Sequence, residues 1–193
     1  MKDMDREFDK AILKRLREGD ESALKSLFDR YYMPLCIYSV QYTDFLQVSE
    51  DLVQEVFISF WERKAYRNVD FSIYHYLFGA VRNASLNYLR NDRPYALHEL
   101  EESVLQESDW FEIDEDEEDD AKALCRERLN RALKQLSPQE YKVLCAVVFE
   151  DKKYKEVAED LNLSINSVKT YLARALKFLR SQSLLLDLFH ICF

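Results

Sequence analysis

Apolar residues recur three and four positions apart from Phe8 through Leu16, from Ala23 through Tyr31 and from Leu52 through Trp61, the spacing of one face of a helix. No stretch alternates like a strand, so an all-α fold is expected. Gly19-Asp20 divides the first two helices, with Asp20 placed to cap the second, and Ser49-Glu50-Asp51 offers an N-cap with acids in the first turn of the third. A fourth helix is predicted from about Ser72 to Arg90, ending before Pro94, with Leu77, Val81, Ala84 and Tyr88 turned inward.

From Pro94 to Asp120 this periodicity stops, and Asp114 to Asp120 is an unbroken acidic run that repels itself and is expected to stay extended or disordered. A second helical block follows, starting near Ala121 to Leu136. Ser137-Pro138-Gln139-Glu140 then has the residues of a capping box with proline at the first helical position. Tyr141 to Phe149 continues that helix, and Lys152-Lys153 breaks it. Two short helices follow, Tyr154 to Leu161 and about Ser164 to Arg180, joined by the turn Leu161-Asn162-Leu163-Ser164. Val157, Ala158 and Leu161 facing Val168, Leu172, Ala175 and Leu179 make a helix-turn-helix. Asn162 stands where many such turns carry glycine, but asparagine tolerates the left-handed conformation.

The organisation expected is therefore two small helical domains, 1–93 and 121–181, joined by an acidic linker, 94–120, and followed by an apolar tail, 182–193. Composition agrees: two Gly and three Pro in 193 residues leave few of the turns that an all-β fold requires. The formal net charge of −9 looks wrong for a protein that meets nucleic acid until it is divided along the chain. Residues 1–93 carry 14 basic and 15 acidic side chains, residues 94–120 none and 13, and residues 121–193 carry 13 and 8. The last block thus has the sign that phosphates attract.

Cys36, Cys125, Cys145 and Cys192 lie far apart without ligand spacing, so they read as buried free thiols rather than a zinc site or a disulfide framework. The acidic run lacks the spaced loop and glycine of a calcium site, and carboxylates in one such run lack the convergent geometry of catalysis. No catalytic residue, metal or cofactor is expected. Met1 to Asp9 alternates charges and has no apolar core, so it does not read as a signal peptide, and a cytoplasmic protein without a membrane span is expected.

On the last helix, Asn166, Thr170, Ala173, Arg174 and Lys177 fall opposite the apolar stripe. Amide, hydroxyl and guanidinium groups there suit base edges, while Lys169 and Arg180 at the flanks suit phosphates. Tyr154-Lys-Glu-Val-Ala-Glu-Asp-Leu161 with Ser164-Ile-Asn-Ser-Val-Lys-Thr-Tyr-Leu-Ala-Arg-Ala175 resembles region four of the extracytoplasmic-function (ECF) RNA polymerase sigma factors. Upstream, seven segments are similar to that family's region two. They are Gly19-Asp20, Leu27-Phe28-Asp29-Arg30-Tyr31-Tyr32, Glu50-Asp-Leu-Val-Gln-Glu-Val-Phe57, Trp61-Glu62, Tyr76-Leu77-Phe78, Val81-Arg82-Asn83 and Asn87-Tyr88-Leu89-Arg90.

The resemblance implies a transcription-initiation factor, not an enzyme, whose partners are core RNA polymerase and promoter DNA. Asp51, Gln54, Glu55 and Glu62 would meet the polymerase clamp helices. Arg82, Asn83, Asn87 and Arg90 would bind the minus-ten element, whose opened strand the aromatics Tyr66, Phe71, Tyr74 and Tyr76 could also stack on. Asn166, Lys169, Thr170, Arg174 and Lys177 would bind the minus-thirty-five element. The apolar tail Ser183 to Phe193 departs from the family's usual ending; it is expected to pack on one of the domains or on a partner such as an anti-sigma protein. A helix-turn-helix regulator that never joins polymerase is the alternative, and it leaves the first block unexplained.

Overall fold

The computed structural model describes residues 2–69, 72–92, 118–185 and 188, and among these there are helices and turns but no strand. The chain forms two compact units, Met1–Leu97 and His98–Phe193.

The first unit is built from α1 (Lys2–Arg17), α2 (Ser22–Thr43), α3 (Leu46–Glu62), a 3-10 turn (Ala65–Arg67) and α4 (Ile73–Asp92). α1 ends where Gly19 takes φ 88°, with the Gly19 amide bonded to the Leu16 carbonyl and the Asp20 amide to that of Arg15. The N-cap of α2 is Glu21 rather than Asp20; Asp20, one residue earlier, accepts from the Ser22 amide at 2.9 Å and from the Arg15 guanidinium at 2.9 Å.

α2 runs twelve residues beyond the apolar stripe that announces it, straight through Pro34, which costs the helix a backbone hydrogen bond. Burial compensates: Pro34 to Val40 are all buried, because α2 packs on both α3 and α4.

The third helix starts earlier than Ser49-Glu50-Asp51 suggests. Its N-cap is Phe45, and Ser49 and Glu50 are buried within it. Ser49 spends its hydroxyl on Thr43, 2.6 Å away, rather than on capping.

The second unit comprises α5 (Glu118–Leu133), α6 (Pro138–Leu144) running into a π-helical turn (Cys145–Phe149), α7 (Tyr154–Asp160) and α8 (Ile165–Ser181). Two expectations are corrected at its start. Glu118, Asp119 and Asp120 are helical rather than part of an extended linker, since acids are favoured in a first helical turn. The helix also stops at Leu133 rather than Leu136. The rest of the acidic segment, 94–117, lies outside the described residues.

The capping box forms as expected. Ser137 Oγ accepts from the Glu140 amide at 3.4 Å, and Glu140 accepts from the Ser137 amide at 3.0 Å.

Of the cysteines, Cys36 is buried, whereas Cys125 and Cys145 are only partly so, and Cys192 lies outside the described residues. Beyond α8, Ser183 takes φ 56° and the Leu184 amide bonds the Leu179 carbonyl, which turns the tail back. Leu184, Leu185 and Leu188 are buried by the chain itself. No described helix is long and apolar enough to cross a membrane.

Candidate nucleic-acid interface

The helix-turn-helix of the second unit is closed by its turn. At the end of α7, Asn162 takes φ 54°, its amide bonds the Glu159 carbonyl, and the Leu163 amide bonds that of Ala158 at 2.8 Å. This is the left-handed cap that asparagine can supply in glycine's place. Ser164 then caps α8, accepting from the Ser167 amide at 3.0 Å. Val168, Leu172, Ala175, Leu176 and Leu179 are fully buried, and Val157 and Ala158 of α7 are buried with them.

That packing leaves Asn166, Thr170, Arg174 and Lys177 exposed on one face of α8. The Thr170 hydroxyl donates to the Asn166 carbonyl at 2.8 Å, so it offers lone pairs rather than a proton to anything outside. Lys169 is partly covered, its ammonium 5.4 Å from the centroid of the Tyr154 ring. Arg180, expected at a phosphate, is half-buried, and desolvation lowers its pKa.

Ile165, exposed at the first turn of α8, escaped the sequence reading. Its signal was an apolar residue beside Asn166 off the buried stripe, and such a side chain can touch a thymine methyl. Lys152 is held between Glu150 at 3.0 Å and Asp160 at 2.8 Å, which raises its pKa and ties the loop to α7.

In the first unit, Asp51, Gln54, Glu55 and Glu62 are exposed along one face of α3, opposite the buried Val53, Phe57 and Phe60. Ile58, 56% exposed, lies at the centre of that face, and counting helical turns from Gln54 and Glu62 would have found it. Burial pushes the pKa of the Tyr32 phenol upward.

α4 is rotated slightly from its expected orientation. Ile73, Leu77, Phe78, Val81, Ser85 and Leu89 are buried, while Ala84 and Tyr88 are only half-buried. The polar Ser85 hid this line: its hydroxyl meets that of Ser39 in α2 at 2.9 Å, both fully buried. Asn83, Asn87 and Arg90 are exposed along one line, and Arg82 is half-buried at the margin.

The aromatics near this helix serve the packing. Tyr66 is buried against Phe60 and Trp61, Tyr76 contacts Phe60, and Tyr74 lies 4.3 Å from Phe78 between ring centroids. Phe71 lies outside the described residues.

Two helical units, one with a helix-turn-helix whose outer face carries an amide, a hydroxyl, a guanidinium and an ammonium, define a protein of the DNA-reading class. Comparison with known proteins narrows this class. Residues 27–94 match the family described as Sigma-70 region 2, and residues 126–179 match Sigma-70, region 4. The RNA polymerase sigma factor YlaC of Bacillus subtilis is 27% identical over 155 residues, 79% of this chain and 87% of that protein. The ECF RNA polymerase sigma factor RpoE of Cereibacter sphaeroides is 23% identical over 172 residues, 88% and 92% of the two chains. A solved structure, CnrH in complex with the cytosolic domain of CnrY, aligns with 91% of this chain and 97% of that one at TM-score 0.40 and 18% identity. The chain belongs to the sigma-70 family and is an RNA polymerase sigma factor of the ECF type.

Proposed function

We propose that the first unit joins core RNA polymerase through the α3 face of Asp51, Gln54, Glu55 and Glu62, with Ile58 as its apolar centre. An exposed isoleucine ringed by polar and acidic groups suits a partner helix that is basic and partly apolar. On α4, Asn83, Asn87 and Arg90, with Arg82 beside them, meet the opened minus-ten strand. In the second unit, α8 lies in the major groove of the minus-thirty-five element. There Arg174, Lys177, Asn166 and Thr170 reach base edges, and Lys169 reaches a phosphate.

In residue terms, 1–93 acts as region two and 121–181 as region four, joined by the segment between them. The protein acts in the cytoplasm by recognition and strand opening, without covalent chemistry of its own. An anti-sigma protein is a further proposed partner. Leu184, Leu185 and Leu188 of the tail are buried, so these three side chains are not open to such an inhibitor.

The observation that carries this reading is the exposed row Asn166, Thr170, Arg174 and Lys177 above a fully buried stripe on a capped second helix. The test is run-off transcription from a promoter library with purified core polymerase. Transcripts from a defined subset, made only when the protein is added, are expected; binding to core without any new start site would overturn it.

A further inference from the structure

The connection between α3 and α4, of which residues 63–69 and 72 are described, is bonded at two places to α1. At one end, the Arg17 guanidinium donates to the Val69 carbonyl at 2.8 Å and to the Tyr66 carbonyl at 3.3 Å. At the other, Asp9 is 3% exposed and accepts three hydrogen bonds: from the Tyr31 hydroxyl at 2.7 Å, the Ser72 hydroxyl at 2.9 Å and the Tyr74 amide at 3.3 Å. The Tyr74 amide is one of the unsatisfied donors at the start of α4, so α1 caps the helix that carries Asn83, Asn87 and Arg90.

In the described part of the connection, Tyr66 and Val69 are buried, while Arg63, Lys64, Arg67 and Asn68 are exposed. Lys64 takes φ 52°, a left-handed conformation that a lysine keeps only where its surroundings enforce it. Three cations within five residues form a surface for phosphates, held by bonds to backbone rather than by bulk packing alone.

We propose that Arg17 and Asp9 are positioning residues for promoter recognition. α1 holds the basic α3–α4 connection and the start of α4 in the single arrangement that receives the opened minus-ten strand. The inference rests on the assignment of α4 to that strand. A connection bonded only at its own ends would sample many conformations and lose entropy on binding; one bonded in advance to a buried carboxylate and a guanidinium does not. The bonds from Arg17 to the two carbonyls, and those that Asp9 accepts, each join an ionisable group to a neutral one, the stronger kind of hydrogen bond.

The test uses the full chain assembled with core polymerase and compares Arg17→Gln, Arg17→Lys, Asp9→Asn and Asn83→Ala. Four quantities are read: affinity for a single-stranded oligonucleotide of the non-template minus-ten sequence, the penalty for a single-base change in that sequence, the penalty for a change in the minus-thirty-five element, and the affinity for core. Arg17→Gln and Asp9→Asn are expected to lower oligonucleotide affinity and the minus-ten penalty by about tenfold, leaving the other two quantities unchanged. Arg17→Lys should recover part of the loss, since an ammonium can still reach one carbonyl.

If affinity for core and both promoter penalties fall together, the two residues are merely structural and the proposal is overturned. Unchanged minus-ten recognition in Arg17→Gln and Asp9→Asn, with a clear loss in Asn83→Ala, overturns the brace and keeps α4 on the strand. No loss in Asn83→Ala removes the α4 assignment itself, and the brace with it.

Discussion

The ammonium of Lys169, on the second helix of the helix-turn-helix, lies 5.4 Å from the centroid of the Tyr154 ring at the start of the first. One side chain therefore helps to fix the angle between the two helices and remains near the face that would meet DNA. Tyr154→Leu should lower stability by about 0.5–1 kcal/mol in thermal or urea unfolding. Lys169→Gln should do the same and also reduce the salt dependence of binding to the upstream element by roughly one phosphate contact. An unchanged salt slope would leave Lys169 a purely internal contact.

Arg174→Ala and Lys177→Ala remove exposed groups without touching the buried stripe, so folding should be unaffected. Binding to minus-thirty-five duplexes should weaken by roughly 1–3 kcal/mol for a residue that contacts a base, and preference at one base position should relax. Leu172→Ala is the contrast: fully buried, it should cost about 2–5 kcal/mol of stability. Full affinity and unchanged preference in both surface variants would remove α8 from the groove.

Ser39 and Ser85 share a hydrogen bond across the α2–α4 contact with no exposure of either. Ser39→Ala leaves a buried hydroxyl to find another partner and should cost about 1–3 kcal/mol, as should Ser85→Ala. The double variant should cost less than the sum of the two. Additive losses in a denaturant double-mutant cycle would mean that the hydroxyls do not support each other.

Hydrogen bonds from Ser22 and then Arg15 hold the Asp20 carboxyl below its ordinary value of 3.8. A carboxylate with a lowered folded pKa contributes stability above its unfolded pKa and loses it as pH falls through the folded one. Asp20→Asn should therefore be less stable than the parent at pH 7, with the gap closing in the acid range below 3.8. A gap in melting temperature that stays constant into strong acid would show that the carboxylate's charge plays no part.

Much of this protein was legible along the chain, because the informative signals were local. Capping in helices depends on residues within one turn, so Ser137 with Glu140 and the left-handed Asn162 could be read directly. The exposed row on α8 followed from periodicity alone, since its buried stripe is wholly apolar.

Where the sequence misled, a nonlocal partner had changed the local preference. Packing against α3 and α4 carried α2 through Pro34, and Thr43 drew Ser49 away from a cap. Ser39 allowed a serine to occupy the buried line of α4. The fastening of the α3–α4 connection by Arg17 and Asp9 joins residues 49 to 65 positions apart. The sequence by itself determined the helices, their caps and their polar faces, which are properties of neighbours along the chain. Tertiary structure alone decided which polar groups are spent inside the protein and which remain for a partner, because a buried donor or acceptor must be satisfied by whatever the fold brings within 3 Å or so.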